Sequence, residues 1–483
     1  MSILVRNVVW NLGAQIVMLG AGVAALPLLL HFLGTARLGV FTLGLGLIGF
    51  SGLFDLGLGR ALTQSVSSAL AARRPRDKVG ALVQRVQWFL LALGLVWMIG
   101  IWCLSPWLVD TGMSLHGDLA RETVFGLRAL ALSIPFALAA NAATGALEGL
   151  QEFRLLSRGR MALTVLQFGL PVAVSLLRPD AGWAIAALAV TRVISSVVWM
   201  GCLRGLLPFD RGVAVDRSDV RHALRFGGWL SLSNVIGPLM AYADRFFIAA
   251  VLSPSAVANY TVPFDAAQRV TSLPLAAMNA LFPALTQSRD QEAVVIVRSA
   301  SKVMVGLMWP AMVIVAVFAH TLLSWWLTPA FAGPSTPVLQ WILVGIFVNG
   351  NAHVPYALLQ AYGRSDITAK LHLLELPVFA LMLVIGVHAL GIVGAALAWT
   401  ARIALDAALL HAAAWWLHDD LREVLSAAAA RLASAAMAMA VIVFVLPLIA
   451  QRIAAALTLV AGAWFLIQIL GMWRAHPSTG PRV

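Results

Sequence analysis

The sequence predicts an all-α, polytopic membrane protein of about fourteen transmembrane helices, built as two parallel six-helix repeats followed by a C-terminal helix pair. Three observations predict it. The 483 residues are 61% hydrophobic and 11% charged, with a mean hydropathy of +0.89, where a soluble chain carries roughly 25% charged and about 45–50% apolar residues. Apolar runs of about 20 residues recur from end to end, each able to cross roughly 30 Å of hydrocarbon. Lys and Arg alternate in density from one connection to the next. This composition excludes an ordinary soluble enzyme, a disordered chain and a nucleic-acid-binding domain. The net charge of +12 is better explained by membrane orientation than by a polyanionic partner.

In chain order the runs are 8–30, 38–62, 86–109, 123–150, 161–177, 181–203 and 226–252, then 256–282, 303–327, 338–362, 371–389, 391–417, 432–449 and 453–473. The first is too long for a signal-peptide core and no small-residue cleavage site follows it, so it is expected to be a mature helix. Prolines inside the runs, such as Pro27, Pro135, Pro274, Pro310 and Pro355, suit membrane helices that pack against neighbours. With the N-terminus inside, 23 Lys and Arg fall on the cytoplasmic side and 4 outside (Arg37, Arg121, Arg178 and Arg452). That bias places both termini in the cytoplasm. The expected organisation is an N-terminal bundle over 1–203, a cytoplasmic linker over 204–225, a second bundle over 226–417, and an extra helix pair with tail over 418–483.

The connections carry little chemistry. Those outside run to about a dozen residues, an ordinary loop length that leaves no room for a catalytic domain. Cys103 and Cys202 fall near opposite membrane faces, too far apart for a disulfide, and read as packing residues. No Cys/His/acid cluster has metal-ligand spacing, and no Walker or Rossmann motif occurs, so no cofactor and no direct use of nucleotide are expected. Trp97, Trp102, Trp107, the Trp325–Trp326 pair and the Trp415–Trp416 pair read as an interfacial belt.

The chain repeats itself. The segment opening at Arg6 aligns without gaps on the one opening at Arg225, matching Trp10 with Trp229, Leu33 with Leu252 and Thr42 with Thr261 at an offset of 219 residues. "ALTQ" recurs at Ala61 and Ala284. Both copies start inside and run outward, which makes them parallel repeats about an axis along the membrane normal. Two such bundles around a central cavity are the architecture of alternating access.

The residues "NVVWNLGAQIV", "LGTARLGVFTL", "FDLGLGRALTQ" and "YADRFFIAAVLSPSAVANYTV" resemble bacterial polysaccharide-biosynthesis flippases of the multidrug/oligosaccharidyl-lipid/polysaccharide exporter superfamily. The resemblance is strongest over the first sixty residues and from Arg225 to Gln287. It implies transport of undecaprenyl-diphosphate-linked oligosaccharide from the inner to the outer leaflet, not enzymatic chemistry. It also implies that glycosyltransferases and a polymerase of one pathway act beside the chain. Peptidoglycan-precursor flippases of this superfamily carry arginines on the first helix. Here the run 8–30 has no charge, which disfavours a lipid II substrate. The extra pair at the C-terminus resembles the helices that offer those flippases' lipid tail a groove.

Charge inside the runs supplies the candidate site. Arg60, Arg128, Arg192, Arg245, Arg269 and Arg402 are accompanied by Asp55, Glu148, Asp244, Asp265, Glu375 and Asp406. Such residues cost about 2.5–3.5 kcal/mol each at mid-bilayer and normally face a bundle interior or wet cavity. Arg269, Arg60, Arg245, Arg402 and Arg192 are the candidates for holding a diphosphate, which the planar guanidinium fork suits. Arg128 sits near the outer surface and is expected to snorkel. Asp55, Asp244 and Asp265 are the candidate coupling-ion carboxylates. Spacing alone pairs Asp265 with Arg269 and Arg402 with Asp406, each at i,i+4. The alternative reading is that each arginine merely neutralises an acid and pins helices together. Asn11, Gln15, Asn234, Gln268, Asn279, Asn349, Asn351 and His353 either glue helices or meet sugar hydroxyls. Two other functions are weighed: a drug/cation antiporter, which calls for an acidic cavity, and a membrane glycan polymerase or ligase, which calls for a large outer loop. The topology is tested by reporter fusions. Those at Arg76, Arg217 and Arg364 are expected to score cytoplasmic and one at Thr336 outside, and a reversed signal breaks the helix count in that half.

Overall fold

The computed structural model describes residues 3–49, 54–55, 57–208, 240, 242–288 and 290–475. The side chains of Asn11, Gln15 and Asn279 lie outside the described part, as do Asn234, most of the 204–225 linker and the start of the run at 226–252. Every regular element described is helical: α1 (Ile3–Gly49), α2 (Leu58–Ala71), α3 (Arg76–Trp107), α4 (Gly117–Gly149), α5 (Phe153–Leu177), α6 (Ala181–Arg204) and α7 (242–251). There follow α8 (Pro254–Gln268), α9 (Ser272–Gln287), α10 (Asp290–Val317), α11 (Ala319–Trp326), α12 (Pro329–Ala361), α13 (Ser365–Leu417), α14 (Arg422–Ala440) and α15 (Leu448–Ala475). Ten stretches among the described residues are long and apolar enough to cross a membrane. One of these, Asp366–Leu417, spans 52 residues, about 78 Å if straight, more than twice the hydrocarbon thickness. It turns at Gly391 (φ 61°, ψ −136°), a backbone geometry that suits glycine. The turn lies at the expected border of the runs 371–389 and 391–417. α1 bends likewise at Gly34 (φ 73°), between the first two runs.

The outward faces are apolar, as lipid requires. Trp88, Val96, Ile99 and Trp107 on α3 and Leu457, Val460, Trp464 and Ile467 on α15 are all more than half exposed. The chain divides into two compact units, Met1–Thr261 and Val262–Val483.

In the first unit α4 is the central helix, touched by α2, α3 and α6. Small residues set its approach to α2. A Cβ added to Gly145 would lie 2.2 Å from the Gly59 carbonyl oxygen, and one on Gly149 2.9 Å from that of Thr63. The Ser67 hydroxyl donates to the Gly149 carbonyl at 3.3 Å. Gly59, Thr63 and Ser67 thus ride on Asn141, Gly145 and Gly149 at a spacing of four, the small-xxx-small packing of membrane helices. At one end of this unit the Arg37 guanidinium donates twice to Glu122, at 2.6 and 2.8 Å. Glu122 also accepts from the Ala181 backbone N–H at 3.1 Å, so one ion pair ties the bend of α1 to the starts of α4 and α6. Thr42 and Thr261, repeat equivalents 219 residues apart, bring their hydroxyls within 3.1 Å inside this unit.

Several runs read as continuous are broken. In the run 38–62, Phe54 is helical, Asp55 and Gly57 lie in turns with Gly57 in the left-handed region (φ 68°), and the helix α2 starts at Leu58. The run 256–282 stops at Gln268, where a 3₁₀ turn occupies Arg269–Thr271 before α9. There the Thr271 and Ser272 hydroxyls donate back to the Gln268 and Arg269 carbonyls, at 2.6 and 2.9 Å, and Pro274 has no N–H to offer the carbonyl four residues earlier. The run 303–327 breaks at Phe318. The last two runs part at Leu446–Pro447, after a π-helical turn at Val441–Val445, rather than near Arg452. Pro447 explains the shift, since the residue before a proline is pushed into extended backbone; Leu446 has ψ 144°.

In the second unit α12 is central, flanked by α9, α10, α11 and α13, and α10 packs on α15 and α14, where the Trp309 indole donates to the Ala435 carbonyl at 2.8 Å. The two limbs of α13 meet backbone to backbone, so that a Cβ on Gly394 would fall 1.8 Å from the Gly386 carbonyl oxygen. Gly394→Val is therefore expected to cost about 1–3 kcal/mol or more through overpacking, read as a lowered unfolding temperature in detergent. Gly201→Ala, where nothing lies within 4 Å of the added carbon, is the neutral control.

Candidate functional site

The break in the second run collects the polar chemistry of the first unit. Asp55 sits in the break, 7% exposed. One carboxylate oxygen accepts from the Gly57 N–H at 2.8 Å and the other from the Asn141 amide at 3.0 Å. Asn141 is placed there by the small-residue contact of α4 with α2. Burying an anion without a cation is tolerable when N–H donors satisfy it. On the other side of the break, Leu47, Ile48 and Phe54 line a small pocket with Ser133, Ile134 and Ala137 of α4 and Arg192 of α6. The Arg192 Nε is buried and has no hydrogen-bond partner among the described residues. Trp97, expected in the interfacial belt, instead packs on Phe54 with ring centres 4.9 Å apart.

Asp244 and Arg245 lie nearby on α7, 0% and 2% exposed. The Tyr260 hydroxyl donates to Asp244 at 2.5 Å, and the second Asp244 oxygen accepts the Arg245 backbone N–H at 2.8 Å. The Arg245 guanidinium lies 4.8 Å from the Tyr242 ring centre, and Tyr242 itself crowds Gly49, whose added Cβ would fall 2.5 Å from the ring. Sequence spacing gave no sign of Asn141 or Tyr260 as partners, because each acts from a different helix, whereas Tyr242 and Arg245 meet at i,i+3 along α7. Arg60, on α2, is exposed. Arg128 lies over the Trp102 ring at 5.2 Å, near the end of α3.

In the second unit both expected i,i+4 pairs are replaced. Arg269 opens the 3₁₀ turn and is exposed, and no ion pair joins it to Asp265 among the described residues. Arg402 does not pair with Asp406. Its Nη1 donates to Glu375 at 3.5 Å, across the α13 hairpin, and it lies 5.5 Å from the Phe379 ring centre. Asp406 instead faces the His372 ring, 3.8 Å away. The i,i+4 pattern fails here because the turn at Gly391 folds α13 back on itself and brings Glu375 of one limb to Arg402 of the other. Asn351 and His353 bond the carbonyls one turn back on their own helix. Beyond Asp406, His411 and Trp415 line a groove of about 450 Å³ with Ala404, Ala408, Ala429 and Ala433, between α13 and α14.

The comparisons with known proteins fit this arrangement. The family described as "Polysaccharide biosynthesis protein" matches residues 28–333. The chain belongs to that family. This polysaccharide biosynthesis protein is 27% identical over 422 residues to the "Putative O-antigen transporter" of Shigella flexneri, covering 87% of this chain and 99% of that one. Among solved structures it resembles an inward-facing multidrug-resistance MATE family transporter of the MOP superfamily (TM-score 0.66, 16% identity, 85% of this chain and 96% of that). A Pyrococcus furiosus MOP-superfamily transporter, described by the reverse polarity of its binding pocket, gives a TM-score of 0.55 at 15% identity, over 86% and 96% of the two chains. At these identities the likeness establishes the fold alone, one shared with these transporters.

Asp55 anchors the break, so Asp55→Ala is expected to cost about 1–3 kcal/mol, leaving the Asn141 amide and the Gly57 N–H unsatisfied. Asp55→Asn keeps one acceptor and is expected to cost less. Thermal unfolding of the two variants in detergent checks the order.

Proposed function

We propose that this protein is a flippase that carries undecaprenyl-diphosphate-linked oligosaccharide repeat units, of O-antigen or exopolysaccharide type, from the inner to the outer leaflet by alternating access. The family membership and the printed function of the Shigella flexneri relative support the pathway. The observation that carries the substrate class is Arg192, a guanidinium beside an interrupted membrane helix whose buried Nε has no partner among the described residues. A buried donor of this kind is costly unless something fills it, and a phosphate oxygen accepts from it with charge assistance. Arg60 and Arg269 are exposed and, with Arg245 and Arg402, are the further residues proposed to meet the diphosphate. Asp55 and Asp244 accept from neutral donors, and the intramembrane charge is balanced and rich in arginine. A drug/cation antiporter calls for the opposite balance.

In this reading the alanine-lined groove beside α14 takes a few isoprene units of the lipid tail, and the polar residues near the breaks meet sugar hydroxyls. Asp55, Asp244 and Asp265 are the proposed coupling-ion carboxylates, and the chain works in a bacterial inner membrane with both termini cytoplasmic. Glycosyltransferases and a polymerase of the same pathway supply and consume its substrate.

The test is Arg192→Lys, which keeps the charge but loses the bidentate fork. One charge-assisted hydrogen bond is worth about 1.5–3 kcal/mol, so translocation of a lipid-diphosphate-linked glycan in proteoliposomes is expected to fall about tenfold or more with unchanged expression. Arg269→Ala is expected to abolish translocation without loss of thermal stability, since it breaks no ion pair with Asp265. Unchanged flipping in both variants places the diphosphate elsewhere.

A further inference from the structure

The second unit holds two carboxylic acids that face one another. Glu375 is 0% exposed and Asp406 7% exposed, and the two carboxyl groups lie within hydrogen-bonding reach. They sit on opposite limbs of the α13 hairpin. Glu375 Oε1 and Asp406 Oδ1 are both buried, and neither has a donor among the described residues. An ionised carboxylate only accepts, so two of them in contact repel and satisfy nothing. One proton between them removes the repulsion and serves both oxygens.

The surroundings fit that occupancy. Arg402 donates to the far oxygen of Glu375 at 3.5 Å, which balances one negative charge of the two. His372 stands 3.8 Å from Asp406, and its side chain is 41% exposed, so it links the buried pair to the surface. From α12, Tyr356 faces Asp406. On α14, Arg422 is paired with Asp419, Arg431 is bonded to Ser301, and Glu423 is exposed. His411, further along the same limb of α13, has its Nδ1 against the Ala407 carbonyl at 2.8 Å.

We propose that Glu375 and Asp406 form a proton-binding site that holds one shared proton, exchanged with the surface through His372. The proton arrives at the His372 ring, passes to Asp406 and rests between the two carboxyl oxygens, and it leaves by the same route. No other bond forms or breaks. The site would supply a coupling proton to the transport proposed above, but its occupancy is measured with no glycan present. A failure of the flippase reading therefore leaves this measurement untouched.

The test is infrared spectroscopy of the full-length protein in lipid nanodiscs, following the carbonyl stretch of protonated carboxylic acids as the pH is raised. The wild type is expected to keep such a band at a pH where surface carboxylates are fully ionised. Glu375→Gln and Asp406→Asn are each expected to abolish it, since either leaves a lone carboxylate beside Arg402 or His372. His372→Gln is expected to keep the band and slow its response to a pH jump. A wild type with no band in that range overturns the proposal, as does a band that survives both acid substitutions. If either variant fails to elute as a folded monodisperse species, the wild-type band and the other variant decide.

Discussion

Hydrocarbon offers no water to a charged side chain, so each charge at membrane depth has to be answered by another group of the same chain. The way each is answered divides this protein's charged residues into distinct classes. Asp55 is answered by an amide and a backbone N–H, and Asp244 by a phenol and a backbone N–H. Arg37 and Glu122 answer one another and three helices gather on the pair. Glu375 has Arg402, and Asp406 is left facing an acid and an imidazole. Neutral donors on Asp55 and Asp244 in the first unit, and the contact of Glu375 with Asp406 beside Arg402 in the second, are the features from which both proposals grow.

The broken helices belong to the same economy of polar groups. Irregular backbone at membrane depth survives only where protein buries it or a cavity wets it. Asp55 caps the start of α2 from inside the break, and its Asn141 partner sits one turn from the glycine contacts that bring α4 so close to α2. Larger residues at Gly59 or Gly145 would push Asn141 away and expose a buried carboxylate without its donor. The interruption at Arg269–Thr271 is made differently, by hydroxyls and Pro274 rather than by glycine and an acid.

Much of this was legible in the sequence. The all-helical membrane class followed from composition and run length, and the bends at Gly34 and Gly391 fall where the apolar runs part. The offset of 219 residues separates Thr42 from Thr261, whose hydroxyls meet. What the sequence hid was contact across helices. Spacing assigned Arg402 to Asp406 because they are one turn apart, but the hairpin carries Glu375 closer. It likewise assigned Arg269 to Asp265, where the 3₁₀ turn and the exposed side chain part them. Asn141 and Tyr260 could not be read as partners of buried acids, since an amide or a phenol carries no charge pattern to search for. Trp97 looked like a belt residue by its place in the run, and only the break beside Phe54 made room for it inside.

A bound proton can drive a conformational change only by as much as its affinity differs between the two conformations. The acid pair of the second unit is built to have such a difference. Glu375 and His372 stand on one limb of α13, and Arg402 and Asp406 stand on the other, with Gly391 as the turn between them. With the shared proton present, the limbs are joined by a hydrogen bond and an ion pair. With it absent, two carboxylates confront one another across the hairpin while a single close guanidinium opposes them. The limbs are already in backbone contact at Gly386 and Gly394, so they cannot move closer to strengthen the remaining pair. The relief open to them is to slide or splay, and α14, packed on the second limb along the alanine-lined groove, would have to follow. Each pH unit over which the pair's proton affinity differs between the two hairpin geometries is about 1.4 kcal/mol of bias, which makes the groove wall the element that protonation can move.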